Sequence, residues 1–211
     1  MKKHQIYAVV AVAIIITILT LVVGGYFIKQ NQSPPAYTSN TPIGYKSGES
    51  DIYKKYVALE GAEYDKAFIS DMIVQHKSAV DMAALAKKGT SNIKILDIAK
   101  NITANQGKTI NDLASLQQQL SYPTTSGHST SGNGGMTTTE SELKNLTGNH
   151  FDKKFLELMI ENYKNTIDIA TPAAKNALHQ DVKNIAKTII GTQSKELEEM
   201  QKWQLEWGYS F

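Results

Sequence analysis

Residues 64–83, YDKAFISDMIVQHKSAVDMA, return 87 positions later as residues 151–170, FDKKFLELMIENYKNTIDIA. One offset without a gap superposes Asp65, Lys66, Phe68, Met72, Ile73, Lys77, Asp81 and Ala83 on Asp152, Lys153, Phe155, Met159, Ile160, Lys164, Asp168 and Ala170. The same offset carries Ile98, Ala99, Lys100, Ile102, Gln106 and Lys108 onto Ile185, Ala186, Lys187, Ile189, Gln193 and Lys195. The chain therefore contains an internal duplication, which constrains its architecture before it says anything of its activity.

Within each unit the apolar residues recur at helical spacing. Phe68, Met72, Ile73, Ala79, Val80 and Ala83 fall on one broad face of a helix predicted over residues 63–87, with Gly89 as its stop. Ser91 or Asn92 caps a second helix reaching about Leu120, striped by Ile95, Ile98, Ile102, Ile110, Leu113 and Leu116. A short lead-in helix fits within residues 51–60. The second unit opens with a short helix near 140–146 and has its main helix over 150–170, which Pro172 ends or kinks. A last helix over 178–207 turns Val182, Ile185, Ile189, Leu197, Met200 and Trp203 inward. Each unit, 51–120 and 140–211, is thus a helical hairpin with an apolar face too large to leave wet. Two such hairpins satisfy one another as an all-α four-helix bundle, or pair with another chain in a swapped homodimer. Residues 121–139, rich in Gly, Ser and Thr, read as the linker between them.

Residues 6–28, IYAVVAVAIIITILTLVVGGYFI, carry no charge. At about 1.5 Å per residue they are long enough to cross a bilayer core of roughly 30 Å, so a single transmembrane helix is expected. Lys2 and Lys3 in residues 1–5 place the N-terminus in the cytoplasm and the main domain outside. A cleaved signal peptide is the alternative, disfavoured by the length of the run and by the absence of a clean small-residue cleavage site. Residues 29–50, with Pro34, Pro35 and Pro42, read as a flexible stalk. All 22 basic residues are lysine and are interspersed with 20 acidic ones, so the chain has no basic footprint for nucleic acid. It has no cysteine, which excludes disulfides, thiolate metal sites and thiol catalysis.

Met72 and His76 stand four apart on one helix face, and Met82 follows further along it. Thioether and imidazole suit copper(I). The competing reading makes the methionines core residues, which fill helix interfaces well, with His76 at the edge of that core. Carboxylates at Asp65, Asp71, Asp81, Asp152, Glu157, Glu161 and Asp168 raise a di-iron centre, but the Glu-x-x-His pairs that such a bundle needs are absent. Asp65 and Asp152 instead lie near helix starts, where a carboxylate suits exposed backbone N–H groups. Gln106 and Gln193 read as interhelical hydrogen-bonding residues. His128 and Met136 sit in the linker without a motif around them. No serine nucleophile, phosphate-cradling glycine loop or His-Glu-x-x-His motif occurs, and an enzyme is the least supported class.

The run Asp65, Phe68, Met72, Ile73, His76, Ala79, Met82, Ala83, then Ile98, Ala99, Ile102 and Gln106, resembles the bacterial domain-of-unknown-function family numbered 305. That family's pattern has a Met-Ile-x-His-His-x-x-Ala-x-x-Met-Ala core and a later Gln-x-x-Glu-Ile-x-x-Met-x-x-Trp segment, the latter matched by Gln193, Glu196, Leu197, Met200 and Trp203. The resemblance implies a ferritin-like fold, export from the cytoplasm and, from some members, copper binding or tolerance through histidine and methionine. Carried onto this chain, it implicates Met72, His76 and Met82, with Met200 as a later member. Gln75 stands where the first histidine of the pair is expected, Asn162 and Tyr163 replace the pair in the second unit, and Ile169 answers Met82. Two functions are therefore expected to compete: a membrane-anchored bundle handling copper, and a metal-free structural module that binds a protein partner at the cell surface.

Overall fold

The computed structural model describes residues 45, 47–124 and 141–209. The transmembrane segment over 6–28, most of the stalk and linker, and His128 and Met136 lie outside the described residues. No helix among the described residues is long and apolar enough to cross a membrane. The domain is all-helical: α1 (Asp51–Val57), α2 (Gly61–Gly89), α3 (Ile93–Gln119), α4 (Gly148–Ala170), α5 (Ala173–Asn176) and α6 (Gln180–Glu206). A further helical turn covers residues 141–144.

Local chemistry sets these boundaries. Ser50 caps α1 by accepting from the Tyr53 amide at 3.0 Å, and Asn92 caps α3 by accepting from the Lys94 amide at 3.1 Å. Gly61 and Gly148, one repeat apart, open the matching helices α2 and α4 at φ of +60° and +58°, a left-handed entry that a side chain disfavours. Pro172 follows the end of α4, where Thr171 is the C-cap, and starts the short α5.

α2 pairs with α3 and α4 with α6, and α2 packs across α4, joining the two hairpins. Their inner faces form two apolar clusters. One contains Tyr64, Phe68, Met72, Leu113, Val182 and Ile189; the other contains Met82, Ile102, Phe151, Phe155, Met200 and Trp203. Burying a side chain of this size contributes about 1.5–3 kcal/mol, so these clusters dominate the fold's stability. The inward residues expected in α6 are all buried except Ile185, which is half-buried at the edge of the first cluster.

Each hairpin also carries an aspartate that reaches a helix start of the other. Asp65 in α2 accepts from the Leu178 and His179 amides at 3.1 and 3.0 Å and meets His179 Nδ1 at 2.6 Å, just before α6. Its repeat mate Asp152 accepts from Asn92 Nδ2 at 3.0 Å, just before α3. A structural role for both aspartates was expected, but the helix each one serves belongs to the opposite unit. Near the Asp65 contact, buried Asn176 donates its amide to the Tyr56, Val57 and Leu59 carbonyls and holds the C-terminal end of α1. The last residues assigned to the stalk are tied to α4: Tyr45 donates to the Lys164 carbonyl at 2.9 Å, and Ser47 and Ser50 donate to the Asp168 carboxylate at 2.8 and 2.5 Å.

Candidate functional site

Between the two apolar clusters lies a layer of polar side chains drawn from all four long helices. Its members occur as repeat mates: Gln75 with Asn162, His76 with Tyr163, Gln106 with Gln193, and Thr109 with Glu196. Asn162 Nδ2 donates to the Gln75 carbonyl at 3.1 Å and to Gln75 Oε1 at 2.9 Å. Contact between equivalent residues places the local symmetry axis of the duplication between them. These two residues stand at the first position of the histidine pair in the resembling pattern, where they form an amide contact between α2 and α4.

The next position has diverged between the units. In the second unit, Tyr163 donates to the Glu196 carboxylate at 2.8 Å and accepts from Gln106 Nε2 at 3.0 Å. Thr166 donates to Gln193 Oε1. Burial raises the Tyr163 pKa, and the negative charge of Glu196 adds to the effect. Glu196 is itself raised by burial and by Glu199, against the stabilising hydrogen bond from Tyr163.

In the first unit, His76 is only 1% exposed, and its Nδ1 makes no hydrogen bond. The sequence had suggested the edge of the core for this residue. Its place in the polar layer, covered on both sides by apolar clusters, buries it instead. Loss of water lowers its pKa to about 4, with the Met72 carbonyl acting in the opposite sense. The imidazole is therefore neutral at physiological pH and keeps a lone pair available to a Lewis acid or a hydrogen-bond donor. His76 lines a cavity of about 310 Å³ whose other walls come from α3 and α6, including Gln106, Thr109, Thr188 and Glu196.

The predicted soft ligands do not share one cluster. Met72, one turn before His76, is fully buried beside the layer with Tyr64 and Phe68. Met82 and Met200 are buried in the other cluster, on the far side of the layer. Among the described residues no group of three or more His, Cys, Asp or Glu side chains could hold a metal ion. Sequence reasoning found His76 and Gln106 but missed Tyr163, Thr166 and Glu196 as parts of the layer. The available signal was the repeat itself, which aligns polar residues with polar residues inside otherwise apolar stripes.

No curated protein sequence matches the chain. Among solved structures, CopM in its Cu(II)-bound form superposes with a TM-score of 0.61 at 24% identity, covering 71% of this chain and 99% of that one. CopM in its Cu(I)-bound form gives 0.59 at 24% identity, covering 69% and 98%. A DUF305 protein from Streptomyces coelicolor, named as secreted, gives 0.60 at 20% identity, covering 69% and 94%. At these identities the likeness concerns the fold. The profile of the family described as "Domain of unknown function (DUF305)" matches residues 65–204, both repeats and the polar layer included, and the chain belongs to that family.

Proposed function

We propose that this chain is a membrane-anchored, extracytoplasmic bundle of ferritin-like architecture that handles copper(I), with His76 as its central ligand. Residues 6–28 are the anchor in this reading, and the family's secreted member supports an exported domain. The carrying observation is the buried, neutral His76 imidazole with an unpartnered Nδ1. A neutral imidazole offers copper one ring nitrogen without first losing a proton, and the soft thioether of Met72 lies one helical turn away. Met82 and Met200 are further candidate ligands, reached only if the inner faces rearrange. The copper-bound forms of CopM support the same reading by analogy of fold.

A second reading has its own support. Met72, Met82 and Met200 are fully buried among apolar residues, as core methionines would be, and the second histidine pair is replaced by residues engaged in hydrogen bonds. On that reading the domain is a metal-free module that binds a protein partner or a second copy of itself. Copper(I) competition titration of the full chain under reducing conditions separates the two. One tight equivalent that His76→Ala abolishes, with helicity retained, is expected for copper handling. Absence of binding, or affinity unchanged in His76→Ala, leaves the metal-free module.

A further inference from the structure

Hydrogen-bond accounting around the cavity beside His76 gives an unequal result. Its donors are largely committed to groups within the protein. The Tyr163 hydroxyl behind the wall gives its proton to Glu196, which fixes Gln106 as the donor to Tyr163 and leaves Gln106 Oε1 buried with no partner. Thr109 donates to the Asn105 carbonyl and Thr188 to the Asn184 carbonyl, each at 3.1 Å, so both hydroxyl oxygens retain only acceptor capacity. Lys108 is paired with Asp112 at 2.5 Å. Asn105, Thr192 and Gln193 bring the remaining donors to the wall.

The acceptors left over at the wall are the two threonine oxygens and the Glu196 carboxylate, with Gln106 Oε1 unpartnered just behind them. With Lys108 neutralised by Asp112, the lining carries one uncompensated negative charge, that of Glu196. A buried acceptor without a partner is costly, and an N–H group is what relieves it. The cavity volume of about 310 Å³ is at the lower end of the range for small-molecule sites.

We propose that this cavity binds a small organic cation bearing several N–H donors, of the alkylammonium or guanidinium class. The cation's N–H groups meet the Thr109 and Thr188 oxygens and its charge faces Glu196, with Gln106 Oε1 buried behind the wall. A hard metal ion alone is a poorer match, because three or more His, Cys, Asp or Glu ligands do not converge here among the described residues. The proposal concerns the copper-free protein and does not rest on the copper reading.

The test is isothermal titration of the full chain, in detergent with a copper chelator present, with methylguanidinium chloride and putrescine as probes. Tetramethylammonium chloride at equal concentration supplies charge without N–H donors. Saturable binding of at least one N–H probe is expected, with none for tetramethylammonium. Glu196→Gln, which still accepts from Tyr163, should weaken binding about tenfold or more, because a hydrogen bond to a charged partner is lost. Thr109→Val should weaken it severalfold, while the exposed Glu198→Gln should leave it unchanged, each variant being compared at equal helicity. No binding of either probe, equal binding of tetramethylammonium, or undiminished binding in both Glu196→Gln and Thr109→Val would overturn the proposal. Copper(I) titration of His76→Ala reports separately on the copper reading.

Discussion

Replacing Gly89 by alanine tests how closely the two repeats are fitted together. Gly89 is the last residue of α2, and a Cβ built there falls 2.1, 2.3 and 2.5 Å from Cδ2, Cε2 and Cγ of Phe151. Ordinary contact begins near 3.4 Å, so about 1 Å of space must be opened. Phe151 is fully buried and stacked on Phe155 with ring centroids 5.7 Å apart, so it cannot yield alone. Overpacking of this kind costs about 1–3 kcal/mol. The helix-propensity gain of alanine over glycine, at most about 1 kcal/mol and less at a helix end, offsets part of that. A net loss of about 1–2 kcal/mol lowers Tm by roughly 2–8 °C for a domain of this size. Gly107→Ala is the matched control, because its Cβ meets nothing within 4 Å in the interior of α3. That variant should gain up to about 1 kcal/mol and melt higher. Thermal and guanidinium unfolding of the wild type, both single variants and Gly89→Ala/Phe151→Leu supplies the answer. The smaller leucine side chain should recover part of the loss, giving a favourable coupling in the double-mutant cycle. A Gly89→Ala protein that melts at or above wild type would refute the close-approach argument.

Three further outcomes follow from the same geometry. His76 has a folded-state pKa of about 4 against an ordinary 6.5, so the unfolded chain binds the proton more readily; the resulting stability is complete above about pH 6.5 and is lost as pH falls towards 4. That contribution is about 3 kcal/mol, and denaturant titrations from pH 7 to 4 should show a shallower decline in His76→Leu, whereas parallel curves would contradict the neutral buried imidazole. Asp65→Ala should cost about 2–3 kcal/mol by removing the acceptor for two amides and the His179 ring, more than Asp152→Ala, whose side chain receives Asn92; equal losses would contradict the asymmetry. Asn176→Ala releases three carbonyls from one amide and should cost about 1–3 kcal/mol in urea unfolding, with α1 losing amide-exchange protection before the long helices do.

The long helices were legible because apolar spacing and stop residues act locally. Asn92, Gly89 and Pro172 mark the ends of α3, α2 and α4 in the sequence as they do in the fold. The partners of Asp65 and Asp152 were not legible, because the helix end that each carboxylate serves lies in the opposite unit and no local pattern announces it. His76 was misjudged for a related reason. Its own helix suggests a boundary position, and only packing by the neighbouring helices makes it interior. Glu196 stood out as a position of the family's later segment but not as a member of the polar layer, where hydrogen bonding from Tyr163 distinguishes it from exposed Glu198 and Glu199.

The reciprocal aspartate contacts also limit how the two copies of the motif can diverge. A substitution in Asp65 acts first on a helix end more than a hundred residues away, so the first copy cannot drift without consent from the second. Each copy keeps an acceptor at a helix start of its sister. Peptide connectivity between them is by comparison incidental: a chain divided between Thr124 and Ser141 retains all of these contacts if its halves meet, and should reassemble from two fragments expressed together.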